Sequence, residues 1–152
     1  MTLSSSLADR AAQAAKIAAA HADDVDAKGR FPSEAMKALA DAKLMGAMIP
    51  KEFGGEGATM AQIGDLCAII AQGCASSAMI FAMHQIKASS LVSHGEGAPW
   101  HEAYMREVAS RQLLLGSATT EGGIGGDLRN SICAVEVEGE RMSLTKNATV
   151  IS

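Results

Sequence analysis

Aromatic side chains are nearly missing from this sequence: 3% of 152 residues, while methionine occurs 9 times. That shortage argues against a β-sandwich core and for closely packed helices built from small and flexible side chains. Basic charge is also scarce. Lys and Arg number 13 against 17 Asp and Glu, a net charge of −4, which leaves no basic footprint for nucleic acid. Cys67, Cys74 and Cys133 form no CxxC and no disulfide framework. An odd thiol count beside an ample core points to a reducing, cytoplasmic setting. A secretory leader is not expected either, because Asp9, Arg10 and Lys16 interrupt the N-terminus and Ser4-Ser5-Ser6 stands where an apolar stretch would be.

What is present suits a globular chain. Hydrophobic residues make up 48% and charged residues 20%, too apolar for disorder and long enough for one domain or one and a fraction. The longest uncharged stretch runs from Leu66 to Ile86. Gln72, Gly73, Ser76 and Ser77 at its centre favour two buried helices meeting there over a membrane span.

Periodicity divides the chain. Leu7, Ala11, Ala14, Ala18 and Ala22 share one face of a first helix over 3–22, which Asp23-Asp24 and Gly29 loosen. Phe31-Pro32 opens a second, with Phe31 as a staple, Met36, Leu39, Ala40 and Leu44 inside and Gly46 as its stop. Ile49 to Gly57, with a proline and three glycines, reads as a structured loop. Thr59 and Gln62 fit a capping box for a third helix that buries Ile63, Leu66, Cys67, Ile70 and Cys74. A fourth runs from about Ser76 to His94, and Pro99 starts a fifth to about Ser110. Beyond Gln112 the period changes from 3.6 to 2. Leu113–Ala118, Ile132–Glu138, Met142–Leu144 and Ala148–Ile151 read as short strands. The expected architecture is mostly α: a bundle of about five helices over 1–112, then a few strands of an incomplete β domain over 113–152.

Few residues here carry chemistry by spacing alone. His21, His84, His94 and His101 make no metal-ligand pattern. His84 reads as a hydrogen-bonded core or pocket-lining histidine, and Cys67 and Cys74 as core. Glu52, Glu96 and Glu121 read as solvated or structural carboxylates. The glycine run Ser117-Ala-Thr-Thr-Glu-Gly-Gly-Ile-Gly-Gly-Asp127 combines hydroxyls with bare backbone, as either a tight turn or a phosphate cradle would. It is not a Rossmann fingerprint, since Leu128 stands where a third glycine is needed.

In order, the helical segment, Ile49-Pro-Lys-Glu-Phe-Gly-Gly55, the apolar helical pair and Thr120-Glu-Gly-Gly-Ile-Gly-Gly-Asp127 resemble the acyl-CoA dehydrogenase superfamily from about residue 5 to 152. The resemblance implies α,β-dehydrogenation of an acyl-CoA thioester with FAD as hydride acceptor. It assigns cofactor contacts to Ser117, Thr119, Thr120, Gly125 and Gly126 and to Val150, Ile151 and Ser152. Gly126 also takes the place of a serine that reaches the thioester substrate, Gly122 replaces a proline, and Val150 replaces an aromatic. The same family places its catalytic carboxylate in a C-terminal helical bundle, so none is expected here, and this chain alone is expected to be inactive. Electron-transfer flavoprotein as electron acceptor follows from the same resemblance, and a homo-oligomer is expected because an apolar strand edge near Ala148–Ile151 and helix faces would be left uncovered. Two alternatives stand beside it: a monooxygenase of the same superfamily, using FMN and a flavin reductase, and a non-catalytic helical interaction module.

Overall fold

The computed structural model describes residues 5–95, 97–123, 125 and 130–151. It is mostly α, with five helices: α1 (Ser5–Lys28), α2 (Ser33–Asp41), α3 (Met60–Ala71), α4 (Ala75–Gly95) and α5 (Pro99–Arg111). Among the described residues a single 3₁₀ turn, Lys51–Phe53, lies between α2 and α3, and one hairpin, β1 (Val135–Glu138) with β2 (Arg141–Leu144), follows the helices. The chain divides into two compact units, Met1–Leu115 and Gly116–Ser152.

In the helical unit, α1 packs on α2 and α3, α3 on α4, and α4 on α5. The inner face of α1 is Leu7, Ala11, Ala14 and Ala18, as its periodicity predicts. The helix outlasts the expected stop at Asp23-Asp24, however. Asp24 is paired with Lys28 one turn on and with Arg30, so its charge supports the last turns, and Gly29 at φ +56° ends them. α2 is shorter than expected: it stops at Asp41 and Lys43 takes the left-handed conformation, φ 59°, well before Gly46. Phe31 is 54% exposed, so it is no staple. The capping box of α3 is present in full, with Thr59 Oγ1 accepting from the Gln62 amide and Gln62 Oε1 from the Thr59 amide.

The long uncharged stretch breaks between α3 and α4. Among the described residues no helix is long and apolar enough to cross a membrane. Gly73 marks the break for a steric reason. A Cβ there would lie 2.2 Å from the Ala15 carbonyl oxygen, so α1 approaches the corner at a distance only glycine permits.

Leu44 to Ile49 is irregular backbone, yet every residue in it is buried. Buried loops are rare because their peptide groups need partners. Here the partners come from loop backbone and from helix side chains. Ala47 and Ile49 carbonyls accept from Ala58 and Gly57 amides at 2.8 and 2.9 Å. The Met45 amide donates to Gln112 Oε1 at 3.0 Å, its carbonyl accepts from His84 Nε2 at 2.8 Å, and the Leu44 carbonyl accepts from Gln85 Nε2 at 3.0 Å. Gly55 closes the same loop, since a Cβ there would meet the Ile49 oxygen at 2.0 Å. Around this polar seam lie Leu39, Leu44, Ile49, Leu66, Ile70, Phe81 and Met105, each at most 1% exposed, worth about 1.5–3 kcal/mol apiece.

The expected strand at Leu113–Ala118 is not one. Leu113 donates back to the Val108 carbonyl, and Leu113 and Leu115 pack against the helical core, so the run is apolar because it is half-buried on helices. Strand structure starts at Val135 rather than Ile132 and is absent from Ala148–Ile151. In the hairpin Val135 faces Leu144 and Val137 faces Met142, which puts four apolar residues on one face, 54–77% exposed.

Two glycine substitutions should move stability in opposite directions. Gly73→Ala should lower it by about 1–3 kcal/mol through the clash with Ala15. Gly64→Ala, in α3 with nothing within 4 Å of its would-be Cβ, should raise it by about 0.5–1 kcal/mol. Urea denaturation of the two variants checks both signs.

Candidate functional site

The Gly116–Ser152 unit holds the glycine run, and a few polar bonds organise it. Thr120 lies 30 residues from Val150, yet its hydroxyl donates to the Val150 carbonyl at 2.7 Å and accepts from the Val150 amide at 3.0 Å. One side chain therefore satisfies both peptide groups of Val150, which explains why this segment forms no ladder. Ser117 Oγ lies 3.4 Å from Thr119 Oγ1. Ser117 with Thr119 and Thr120 with Val150 thus form two separate bonded pairs, and Ile151, next to Val150, is 70% exposed. Gly125 is left-handed at φ +58°, and nothing lies within 4 Å of a Cβ built on it, on Gly122 or on Gly123. Gly126 and Ser152 lie outside the described residues, as does Glu96.

Glu121 fixes the loop from the other side. Its carboxylate accepts from Lys146 Nζ at 2.7 Å, Ser131 Oγ at 2.6 Å and the Ile132 amide at 2.7 Å. The Lys146 bond first, then Ser131 and the Ile132 amide, hold its carboxyl down at about 2. Such a group stays ionised and is a weak proton acceptor at neutral pH. It is structural, as its sequence context predicts. Lys146 also reaches the Thr119 carbonyl at 3.5 Å. A cavity of about 300 Å³ borders this ion pair, lined by Glu121, Gly122, Ile132, Cys133, Thr145 and Lys146 among others. Among the described residues, none of Ser117, Thr119, Thr120, Gly125, Val150 and Ile151 lines it. Lys146 and Ser131 were not legible as site residues, since neither sits in a motif and their bonds to Glu121 span 25 and 10 residues.

In the helical unit Glu52 is an exposed side chain on the 3₁₀ turn. It borders a cavity of about 560 Å³ between the Pro50–Met60 loop and the Ser89–Ser93 stretch of α4. Its backbone carbonyl accepts from Arg106, whose guanidinium also lies 4.8 Å above the Phe53 ring. These contacts serve the loop. His84 is fully buried, and burial pushes its pKa down against the opposing pull of the Met45 carbonyl. Cys74 is buried and Cys67 half-buried, with burial raising the Cys67 thiol. Among the described residues no group of three or more His, Cys, Asp and Glu gathers as a metal site would need.

Residues 5–112 match the family described as acyl-CoA dehydrogenase, N-terminal domain. The chain belongs to the acyl-CoA dehydrogenase family. The match covers all five helices. Relatives extend the similarity into the second unit. A protein of Mycobacterium tuberculosis named probable acyl-CoA dehydrogenase is 28% identical over 133 residues, 88% of this chain and 34% of its own length. The acryloyl-CoA reductase (NADH) of Anaerotignum propionicum is 30% identical over 106 residues, 70% of this chain and 27% of its own. A probable acyl-CoA dehydrogenase of Bacillus subtilis is 26% identical over 114 residues, 75% of this chain and 30% of its own. The chain spans about a third of the length of the curated relatives it matches.

The Glu121 clamp has a pH signature. A carboxylate whose pKa is lowered on folding stabilises above its ordinary value of 4.5 and loses that contribution as pH falls through about 2. The Ile132 amide resonance, followed by NMR, should therefore titrate with a midpoint near 2 instead of near 4.5. Lys146→Met should move that midpoint upward, and Glu121→Gln should abolish the titration.

Proposed function

We propose that this chain forms the helical domain and the opening of the β domain of an FAD-dependent oxidoreductase acting on acyl-CoA thioesters. The observation that carries the reading is the reciprocal pair of bonds between the Thr120 hydroxyl and the Val150 peptide. It joins two segments that the resemblance assigns independently to the cofactor. Open glycines at 122, 123 and 125 fit a flat ring or a pyrophosphate approaching the backbone. The names of the relatives support a thioester substrate.

The chemistry that bound FAD would supply here is that of a hydride acceptor for Cβ of the thioester. Thr120 would hold Val150 in place, Ser117 and Thr119 would offer hydroxyls, and the backbone at Gly122, Gly123 and Gly125 would allow close approach, while the resemblance gives Gly126 to the substrate. The proton α to the carbonyl goes to a base that is not Glu121, whose three partners keep it a poor acceptor. The electrons would pass on to an electron-transfer flavoprotein. Three free cysteines fit a reducing cytoplasm. A flavin monooxygenase served by FMN and a flavin reductase is the second reading, favoured by glycine at 126 in place of the serine of the dehydrogenases.

Titration with FAD, read by fluorescence quenching, tests the assignment. The chain spans about a third of the length of its relatives and supplies at most part of a cofactor site of theirs. The 152-residue chain should therefore saturate only at high FAD, Thr120→Val should remove that saturation, and acyl-CoA with an electron acceptor should give no turnover. Thr120→Val indistinguishable from the wild type would contradict the cofactor assignment. Submicromolar FAD with turnover would contradict a base outside Glu52, Glu96 and Glu121.

The exposed apolar hairpin face supports self-association. Sedimentation should show a dimer or larger species, and a monomer at every concentration would contradict it.

A further inference from the structure

His84 is the one fully buried histidine, on a face of α4 that also buries Ser77, Ala78, Phe81, Gln85 and Ala88. A leucine or phenylalanine would fill the same space without the cost of burying two ring nitrogens. Both nitrogens are used. Nε2 lies 2.8 Å from the Met45 carbonyl, and the Leu115 amide donates to Nδ1 at 3.0 Å. Only the neutral ring with its proton on Nε2 makes both bonds.

The two bonds differ in what replaces them. Gln85 Nε2 also reaches the Met45 carbonyl, at 3.4 Å, so that oxygen keeps a donor without His84. The Leu115 amide has His84 as its partner, 31 residues away in sequence. Three bonds in turn pin the chain as it leaves α5: Gln112 to the Met45 amide, Leu113 to the Val108 carbonyl, and Leu115 to His84. Ser117, the first residue assigned to the cofactor, is two residues further on.

We infer that His84 is a positioning residue, whose Nδ1 fixes the backbone at Leu115 from which the Ser117–Gly126 segment sets out. Its purpose rests on the flavin reading above, and its geometry does not. The spacing of His84 within α4 predicts a core residue and nothing of this, because the partner lies beyond the next helix.

Two amide variants separate the bonds. His84→Gln places a donor near the Nε2 position and loses the acceptor for Leu115. His84→Asn places an acceptor near Nδ1 and loses the bond to Met45. Each loses one hydrogen bond, but Gln85 still serves the Met45 carbonyl in His84→Asn, so His84→Gln should have the lower urea midpoint. The Leu115 amide should exchange about tenfold faster in His84→Gln than in His84→Asn, and ¹⁵N relaxation should show the Gly116–Thr120 amides more mobile in His84→Gln alone. Leu115 exchange at the wild-type rate in His84→Gln, or equal release in both variants, would overturn the inference. Should neither variant fold, the wild-type ring decides it: ¹⁵N spectra should show Nδ1 unprotonated, with a scalar coupling to the Leu115 amide, and a protonated Nδ1 would overturn it. A wild-type chain without saturable FAD quenching defeats the cofactor reading separately, leaving the exchange result to judge His84.

Discussion

The peptide of Met45 is the interaction on which the helical unit depends. Its amide is held by Gln112 at the end of α5, and its carbonyl by His84 and Gln85 on α4. Irregular backbone runs through the middle of an apolar core, and a buried peptide group without a partner would cost about 1–3 kcal/mol. The polar side chains of α4 and of the α5 terminus are therefore requirements of the loop. They explain why a nearly uncharged helix carries His84 and Gln85 side by side, and why Gln112 adopts φ 53°, from where its amide also returns to the Ala109 carbonyl.

The same constraint reaches outward. Arg10 on α1 donates to the Ala42 carbonyl at 2.9 Å and pairs with Glu56 at 2.5 Å, so α1 is tied to both ends of the loop. Gly55 lies where any side chain would strike the Ile49 oxygen, which gives the Gly-Gly of the Pro50–Gly55 motif a steric cause. In the second unit a different bond has the equivalent role. The Thr120 hydroxyl replaces a strand partner for Val150, and Glu121 gathers Ser131, Ile132 and Lys146 about one carboxylate.

Features set by nearby residues were legible in the sequence. The Thr59–Gln62 capping box, the start of α5 at Pro99 and the buried face of α1 each follow from residues a turn or two apart, and the break at Gly73 was signalled locally although its steric partner, Ala15, is distant. The ends of α1 and α2 were not. Asp24 reads as a breaker until Lys28 and Arg30 are placed beside it, and Lys43 gives no hint of a left-handed turn. An apolar run such as Leu113–Leu115 looks alike whether it packs on helices or pairs as a strand. The glycine run was visible as a candidate site, whereas its bonds to Val150 and Lys146 span 30 and 25 residues and leave no local pattern.

Amide hydrogen exchange of Met45 tests this account most directly. Met45 lies outside every helix and strand, so by secondary structure alone its amide should exchange as a loop does. If the buried loop and its side-chain partners hold the helices together, that amide should exchange as slowly as the centres of α3 and α4, through global unfolding. Exchange at the rate of a surface turn, with α3 and α4 still protected, would contradict it.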